Sequence, residues 1–359
     1  MSPSVLKSGF SKHLLQWYDQ YKRTLPWRGT QDFYRIWLSE IMLQQTRVET
    51  VIPYYLQWLD LFPSIEMVAN ASEEEILKAW EGLGYYRRAL LFQKACRSLM
   101  NDNHGCVPEN PDYLRQLPGI GLYTFAAVRS ICFYDPVPAV DGNARRVIAR
   151  ILMLSHSATA LHDVVCQALL KVISVDRPGD FNQALMDLGS LICSPKNPRC
   201  DHCPLLENCS AFQQAQTAHF PVRRARPALP HHTIAAGIIW RDQQFLICKR
   251  PVGGLLGGLW ELPGGKVEDS ESLAEAVRRE IREEVDLDVR VVNYIGAIRH
   301  AYSHFSIQLH IFNCAFSSGT PQTLGCTEYR WIRWEDIPHF PFPRANHKLF
   351  SLIQSSVEK

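Results

Sequence analysis

Four cysteines near residue 200 constrain this chain more than any other feature. Cys193, Cys200, Cys203 and Cys209 are separated by six, two and five residues and lie in a proline-rich segment. Four thiolates at such spacing form a metal site, and a chance cluster of buried thiols is improbable. The spacing alone does not distinguish a structural zinc from an iron-sulfur cluster. Either way, the sequence predicts a loop folded around a metal centre.

Composition indicates a cytoplasmic protein of about two domains. The chain has 359 residues, which is more than one hydrophobic core usually fills. Its odd total of 11 cysteines argues against a disulfide framework. Charged residues interrupt the first 22 positions, so no signal peptide is predicted, and no apolar run approaches the ~20 residues that cross a membrane. The net charge of +2 neither demands nor excludes a nucleic-acid partner.

The pattern of apolar residues along the chain changes near residue 220. Before it, apolar residues recur at helical spacing, and after it short β-branched and aromatic runs dominate. Between them, Arg223, Arg224 and Arg226 lie among three prolines, which predicts a stiff basic linker over 219–232 that lies along DNA. The sequence therefore predicts an all-α domain over 1–218 and an α+β domain over 233–359. The clearest helical stretches are 34–61, 72–80, 85–99, 111–117, 122–133 and 143–154, with one further helix at 272–285.

Two carboxylates in the first domain are candidates for acid–base chemistry. Glu40 lies among Ile36, Leu43 and other apolar residues, which predicts a raised pKa, although a surface position on a helix edge is the commoner situation. Asp141 precedes a helix and is equally explained as its N-cap. Removal of a base through a cationic sugar requires one carboxyl group that protonates the leaving group and another that stabilises the cation.

A glycine-rich turn lies between two of the predicted helices. In Leu117-Pro-Gly-Ile-Gly121, Gly119 and Gly121 permit a tight turn whose N–H groups could hold a phosphate. An isolated turn of this type is more often a plain helix–helix connection. Lys196 and Arg199, inside the cysteine loop, would also suit a phosphate backbone.

Together these motifs resemble the helix-hairpin-helix glycosylases that carry a 4Fe-4S cluster. The stretches 37–46 (WLSEIMLQQT), 82–86 (GLGYY) and 181–189 (FNQALMDLG) are closely similar to the MutY family of adenine DNA glycosylases. The resemblance covers nearly the whole chain. It implies that the enzyme removes adenine opposite 8-oxoguanine or guanine in double-stranded DNA, that it acts as a monomer, and that the four cysteines hold a 4Fe-4S cluster.

The resemblance also implies roles for individual residues. Glu40 would protonate adenine at N7 and Asp141 would stabilise the sugar cation or its covalent adduct, with Tyr123 and Asn143 positioning them. Gln45 and Tyr85 would occupy the DNA stack beside the flipped adenine. The adenine pocket would be lined by Trp27, Arg28, Leu43 and Gln183.

Tyr123 occupies the place where related enzymes that also cut the DNA backbone carry a lysine. That lysine attacks the sugar as an amine, whereas residues 117–124 contain none. The chain is therefore expected to be a monofunctional glycosylase.

The second domain contains most of a Nudix box. Its residues are Gly265, Glu271, Arg279, Glu280, Ile281, Glu283, Glu284 and Leu287. Asp286 replaces the expected glycine, which puts the end of the helix in doubt. The carboxylates could hold Mg²⁺, or they could form a solvated face balanced by arginines, and spacing leaves both open.

Tyr302-Ser303-His304 resembles the Phe-Ser-His motif of the MutY family. The resemblance implies that Ser303 and His304 contact the oxidised base and that the domain reads the lesion. Ser and His are also ordinary turn residues. The rival functions are a bifunctional glycosylase with lyase activity, a Nudix diphosphatase tethered to a DNA-binding domain, and a damage-binding adaptor without activity.

Overall fold

The structure is a computed structural model that describes residues 6–7, 9–156, 158–222 and 229–357. The chain divides into two compact units. The first unit comprises Met1–Ala69 and Lys94–Ala225, and the second comprises Asn70–Gln93 and Arg226–Lys359. The second unit is therefore discontinuous in sequence.

Twelve α-helices precede the first strand in the part of the chain that the structure describes, together with two short 3₁₀-helices at Cys200–His202 and Leu206–Asn208. The α-helices are α1 (Phe10–Tyr21), α2 (Phe33–Met42), α3 (Val48–Leu61), α4 (Ile65–Asn70), α5 (Glu73–Ala79), α6 (Arg87–Asn103), α7 (Pro111–Gln116), α8 (Leu122–Cys132), α9 (Gly142–Leu152), α10 (Ala158–Leu170), α11 (Pro178–Leu191) and α12 (Ser210–Gln213). Most helical stretches predicted from periodicity match these bounds within a few residues. The basic linker cannot be assessed in the same way, because Arg223, Arg224 and Arg226 lie outside the described residues.

The prediction of one helical stretch over 34–61 is wrong at 43–47. Helix α2 ends at Met42 with Leu43 as its C-cap, and α3 begins at Val48 after Arg47 in extended conformation. Between them Gln45 adopts a left-handed backbone with φ 59°, which no α-helix accommodates. Apolar periodicity continues across this break and therefore conceals it.

The core of the first unit forms where α1, α9, α10 and α11 pack together. Phe10 and Leu14 of α1 meet Val147 of α9, Val165 of α10 and Phe181 of α11 in one buried cluster. Burying side chains of this size stabilises a fold by about 1.5–3 kcal/mol each. This packing fixes α9 and α11, which carry Asn143 and Gln183 of the candidate site.

A mixed sheet between two helices forms most of the second unit. Its strands are β1 (His231–Arg241), β2 (Gln244–Lys249), β3 (Trp260–Glu261), β4 (Gly264–Lys266), β5 (Asp288–Ala301), β6 (Ser306–Ser318) and β7 (Glu328–Ile332), and its helices are α13 (Leu273–Val285) and α14 (Arg344–Val357). The order β3-β2-β1-β6-β5 carries β4 beside β1 and β7 beside β2, and only the β1–β6 pair is parallel. Because successive side chains point to opposite faces, Leu246 packs toward α13 and Ile247 toward α14.

Residues 70–93 belong to the second unit through polar contacts. The carboxylate of Glu74 accepts a hydrogen bond from Trp260 Nε1 at 2.6 Å and lies 3.3 Å from Lys249 Nζ. Glu81 accepts from the backbone N–H of Phe342 at 2.7 Å and lies 2.9 Å from His347 Nε2. The predicted domain boundaries, 1–218 and 233–359, are continuous in sequence and do not assign residues 70–93 to the second domain. They stay a prediction.

No helix among the described residues is long and apolar enough to cross a membrane.

Candidate active site

Helices α2 and α8 bring Glu40 against Tyr123. Glu40 is only 5% exposed, and the Tyr123 hydroxyl donates a hydrogen bond of 2.7 Å to its Oε2. Burial raises the pKa of Glu40 to about 7, while the tyrosine hydrogen bond opposes this rise and the charge of Asp141 adds to it. A carboxyl group with this pKa is substantially protonated near neutral pH and can donate a proton.

The N-terminus of α9 fixes Asp141. Its Oδ1 accepts from the backbone N–H of Ala144 at 2.7 Å, so the predicted N-cap is confirmed. Its Oδ2 accepts from Asn143 Nδ2 at 2.8 Å, and Asn143 Oδ1 accepts from Arg146 at 2.7 Å. Burial raises the pKa of Asp141, whereas these donors and the Arg146 charge lower it.

The two carboxyl groups therefore have different surroundings. Glu40 receives one hydroxyl hydrogen bond within apolar packing, whereas Asp141 receives a backbone N–H, an amide and the field of a helix N-terminus. The first environment favours a neutral acid, whereas in the second the donors stabilise the anion against a burial that still leaves the pKa of Asp141 raised. Such a pair matches the acid and the cation-stabilising group that base removal requires.

Close packing of α9 on α11 holds the Asn143 side chain. A Cβ at Gly189 of α11 would lie 2.5 Å from Asn143 Cβ, so only glycine fits at this contact. Arg146 also donates to the carbonyl of Gly189 at 2.8 Å. The position of Asn143, the amide partner of Asp141, thus depends on its contact with Gly189, which lies 46 residues later in the sequence.

A buried ion cluster holds Arg28, one of the predicted pocket residues. Asp187 of α11 is fully buried and pairs with Arg28 at 2.6 Å and with Arg23 at 2.5 Å. Arg28 Nε is buried and lacks a hydrogen-bond partner within the described part of the chain. Such an orphaned donor costs about 1–3 kcal/mol unless a ligand accepts from it.

The other predicted pocket residues lie on neighbouring elements of the first unit. Trp27 is buried edge-on against Tyr55 with ring centroids 5.2 Å apart. Leu43 is the C-cap of α2, and Gln183 lies partly buried on α11. Gln45, predicted to enter the DNA stack, lies in the left-handed turn after α2.

The predicted hairpin connects α7 to α8. Gly119 has φ 82°, a conformation that favours glycine, and Gly121 is the N-cap of α8. Leu122, the first residue of α8, is 74% exposed. The turn therefore presents an exposed N-terminus of an 11-residue helix, as a phosphate-binding hairpin requires.

The four cysteines of the array surround a cavity. Cys193, Cys200, Cys203 and Cys209 all line it, together with Arg150 and apolar residues. All four belong to the described part of the chain, and no three of their Sγ atoms lie within 4.8 Å of one another. Tetrahedral zinc with ~2.3 Å bonds would hold its sulfurs ~3.8 Å apart. The wider arrangement suits a larger, multinuclear centre.

Arg150 supplies positive charge to this cavity. It is 2% exposed and donates to Cys193 Sγ at 3.2 Å and to the carbonyl of Ser194 at 2.8 Å. A buried cation beside four thiolates offsets their negative charge. Of the predicted phosphate contacts in this loop, Lys196 is exposed, while Arg199 Nε donates to the carbonyl of Leu191 at 3.1 Å.

In the second unit, Arg279 forms ion pairs with three carboxylates of the Nudix box. It contacts Glu271 at 2.7 Å, Glu280 at 3.0 Å and Glu283 at 3.0 Å. Glu284 instead accepts from the backbone N–H of Gly264 at 3.1 Å, and burial raises its pKa to about 8. Asp286 ends α13 in a left-handed conformation with φ 54°, so the helix ends normally without the expected glycine.

The predicted lesion-reading motif lies in the turn between β5 and β6. Tyr302 stacks on Phe305 with ring centroids 4.8 Å apart, and its backbone N–H donates to the carbonyl of Phe305 at 2.8 Å. The Tyr85 hydroxyl donates a hydrogen bond to Ser303 Oγ. Tyr85 and Ser303, which were predicted separately to contact DNA, are thus brought together, and His304 lies exposed beside them.

Comparison with known proteins identifies both parts of the chain. Residues 38–172 match the HhH-GPD superfamily of base excision DNA repair proteins, and residues 235–352 match a NUDIX domain. Adenine DNA glycosylase of Rattus norvegicus is 32% identical over 97% of this chain and 78% of its own length. The chain belongs to the adenine DNA glycosylase family. The Homo sapiens and Schizosaccharomyces pombe relatives are 31% and 29% identical, covering 97% and 92% of the chain and 74% and 86% of their own lengths.

This adenine DNA glycosylase family member shares its helical fold with a solved structure. A thermostable thymine-DNA glycosylase covers 57% of the chain with a TM-score of 0.52 and 29% identity, over 95% of its own length. The predicted fold class, an all-α helix-hairpin-helix glycosylase domain followed by an α+β Nudix-like domain, is confirmed. The protein is a DNA glycosylase of base excision repair, and DNA is its partner.

Three site residues of this family member were not predicted from sequence. Arg23 and Asp187 hold Arg28, and Arg146 holds Asn143. Asp187 lies inside the motif 181–189, so its position within a diagnostic segment was the available signal. Nothing in the local pattern around Arg23 indicates its partner 164 residues away.

Proposed function

We propose that the protein excises adenine from double-stranded DNA where adenine lies opposite 8-oxoguanine or guanine, and leaves an abasic site. The observation that carries this proposal is the pair formed by Glu40, buried with a raised pKa, and Asp141, capped by N–H donors. Glu40 donates its proton to N7 of the flipped adenine, which turns the base into a better leaving group. Asp141 stabilises the sugar cation that develops as the N-glycosidic bond breaks. Water then adds to C1′ of this cation and loses a proton, which leaves the abasic sugar.

Substrate positioning falls to the residues around this pair. Tyr123 orients the Glu40 carboxyl group and Asn143 orients Asp141. The orphaned Nε of Arg28 offers a buried donor to the base, beside Trp27, Leu43 and Gln183. Gly119 and Gly121 hold a phosphate at the hairpin, with Lys196 and Arg199 as further backbone contacts.

Cys193, Cys200, Cys203 and Cys209 fit a 4Fe-4S cluster, because all four line one cavity and no three of their Sγ atoms lie within 4.8 Å of one another. Bound there, the cluster would serve as a structural cross-link of the loop. Arg150 and Arg146 hold the carbonyl of Cys193 at 3.3 and 2.8 Å and keep that loop against α9.

The second unit reads the base opposite adenine, through Ser303 and His304, with Tyr85 in the DNA stack. The hydrogen bond between Tyr85 and Ser303 supports a common DNA-facing surface. The ion pairs of Arg279 with Glu271, Glu280 and Glu283 occupy carboxylate oxygens that Mg²⁺ would need, which supports lesion reading over Mg²⁺-dependent hydrolysis. The domain limits 1–218, 219–232 and 233–359, the monomeric state and the cytoplasmic location belong to the same proposal.

Excision from defined duplexes tests the proposed substrate. Duplexes carrying A opposite 8-oxoguanine, G, C or T are incubated with excess enzyme, and mild base then reveals abasic sites. Cleavage is expected with the first two duplexes only, and Glu40→Gln protein purified in parallel controls for contaminating activity. Equal cleavage of all four duplexes would contradict the proposed specificity.

Two further arms separate the rival activities. Borohydride should trap little covalent adduct with the wild type, because no amine lies in the hairpin and the Tyr123 hydroxyl is bonded to Glu40. Efficient trapping would establish the bifunctional rival. Multiple turnovers of 8-oxo-dGTP with Mg²⁺ that vanish in Glu283→Gln would establish the diphosphatase rival.

A further inference from the structure

Three side chains outside the glycosylase site converge in the second unit. Cys248 lies on β2 and faces the core beneath α13, Glu284 lies in the last turn of α13, and Cys326 precedes β7. One Sγ, one carboxylate oxygen and the second Sγ all lie within 4.8 Å of one another. These residues come from three separate elements and share no sequence motif.

Backbone hydrogen bonds fix the three elements against one another. The N–H groups of Leu324 and Gly325 donate to the carbonyl of Glu284 at 3.1 and 3.0 Å, which ties the loop bearing Cys326 to α13. The N–H of Thr327 donates to the carbonyl of Lys249 at 2.9 Å, which ties the same loop to the strand bearing Cys248. The arrangement is therefore pre-organised by the fold.

The donor set has a definite metal preference. Two sulfurs and one oxygen bound to zinc at ~2.3 and ~2.0–2.2 Å lie about 3.5–3.8 Å from one another, within the observed limit. Thiolates select zinc and similar soft cations, whereas Mg²⁺ requires oxygen ligands in an octahedron. Both cysteines are buried, at 0% and 6% exposure, while Glu284 is half-buried and offers the route of entry.

Neighbouring charges leave Glu284 available for a cation. Arg279 is engaged by Glu271, Glu280 and Glu283, and Arg250 is held by both carboxylate oxygens of Glu261 at 2.6 and 2.7 Å. Glu284 instead accepts the Gly264 N–H, which orients its carboxylate. The site thus shares Glu284 with the Nudix box, but its two thiol ligands give it a different chemistry from an Mg²⁺ site built on the carboxylates of that box alone.

We propose that Cys248, Cys326 and Glu284 form a binding site for one thiophilic divalent cation, best matched by zinc, with the fourth position open to water. The ion cross-links β2, α13 and the loop before β7. It therefore stabilises the second unit and takes no part in base excision.

Zinc uptake by the full-length, reduced protein tests the site. The protein is dialysed against zinc and then against metal-free buffer, and zinc and iron are counted by mass spectrometry. Wild type is expected to retain one more zinc per chain than Cys248→Ser or Cys326→Ser, with equal iron in all three. Cys314→Ser is the matched control, because Cys314 is fully buried in the same core beneath α13 and lies outside the cluster.

The Glu284→Gln variant distinguishes loss of a zinc ligand from loss of zinc through misfolding. The amide keeps an oxygen for the Gly264 N–H but binds zinc far more weakly, so at least a 10-fold loss of affinity is expected with unchanged circular dichroism. Co²⁺ should give a sulfur-to-metal charge-transfer band in the wild type and in Cys314→Ser that Cys248→Ser lacks. Any of three results would overturn the proposal. They are equal zinc content in wild type and Glu284→Gln, no bound zinc in the reduced wild type, and a loss of zinc in Cys314→Ser equal to that in Cys248→Ser.

Discussion

Burial of Glu40 links the pH dependence of stability to that of excision. In the folded chain its pKa is about 7, against an ordinary value of 4.5. Between these values the folded state binds more protons than the unfolded state, so the free energy of unfolding falls as pH rises from about 4.5 to 7. Above about pH 7 Glu40 is ionised in both states, and the free energy of unfolding stays lower by the full cost of burying a carboxylate. Holding the proposed general acid in a protonated state near neutral pH therefore lowers the free energy of unfolding at higher pH.

Glu40→Gln should therefore stabilise the protein and inactivate it. The neutral amide removes a cost on the order of 3 kcal/mol at pH 8 and almost none at pH 4.5. Excision should fall by about 100- to 10,000-fold, because the amide cannot protonate adenine. Urea unfolding at the two pH values and single-turnover excision measure the two effects. A variant that excises adenine normally would remove Glu40 from the mechanism.

Tyr123→Phe should move the pH profile of excision. The hydroxyl hydrogen bond holds the pKa of Glu40 below the value that burial alone would give, so its loss raises that pKa. The alkaline limb of single-turnover excision should then shift to higher pH. Tyr113→Phe is the control, because this tyrosine hydrogen-bonds Asp102 away from the site. An unchanged limb in Tyr123→Phe would show that the hydrogen bond does not tune the acid.

At the residue scale, local sequence context predicts surroundings but not distant partners. The apolar neighbours of Glu40 indicated its burial, and the position of Asp141 before a helix indicated its cap. The pairing of Arg28 with Asp187, 159 residues away, had no local signal. The convergence of Cys248 with Cys326 was equally hidden, because periodicity constrains only neighbours along the chain.

The contact between α9 and α11 shows how an element positions a side chain. Gly189→Ala would place a methyl group 2.5 Å from Asn143 Cβ and force the helices apart or the amide away from Asp141. Overpacking of this kind costs about 1–3 kcal/mol. A fall in melting temperature and in the single-turnover excision rate is expected together.

Gly142→Ala provides the matched control for this prediction. Gly142 begins α9, and a Cβ there meets no atom within 4 Å, so its substitution should leave stability and excision near the wild type. If both variants behaved alike, the close approach of α11 would not be what holds Asn143.

At the element scale, most of the helical stretches predicted from periodicity match observed helices within a few residues. Periodicity failed at 43–47, where a left-handed residue interrupts an otherwise continuous apolar pattern. It also left the end of α13 in doubt, whereas Asp286 adopts the left-handed conformation that glycine was expected to supply. Aspartate tolerates this conformation better than most residues do.

The discontinuous second unit determines what truncation does to the whole molecule. A chain ending at residue 225 would leave Glu74 without Trp260 and Glu81 without His347. Amide exchange over 73–93 should therefore become faster than in the full chain, while α11 in the core of the first unit keeps its protection. Mass spectrometry of exchanged peptides measures both segments. Unchanged exchange over 73–93 would show that this segment does not depend on residues after 225.

Sequence composition predicts a linker because it is read locally, and for the same reason it cannot detect that residues 70–93 belong to the second unit. The predicted linker and the change from helical to strand pattern lie near residue 220, close to the division at Ala225. Residues 70–93 carry an ordinary amphipathic pattern, and their assignment to the second unit arises from partners more than 160 residues away. Lesion preference is therefore better tested with Ser303→Ala in the full chain than by truncation.

Because the second unit is discontinuous in sequence, its two parts leave the ribosome at different times. Residues 70–93 are synthesised roughly 130 positions before the rest of their unit, an interval of about 6–26 s at ~5–20 residues per second. Ile76, Leu77 and Trp80, all buried in the finished protein, emerge during that interval without strand partners from their own unit. A nascent chain halted before residue 226 thus holds every residue of one unit and only the opening segment of the other, a segment suited to chaperone binding until translation ends.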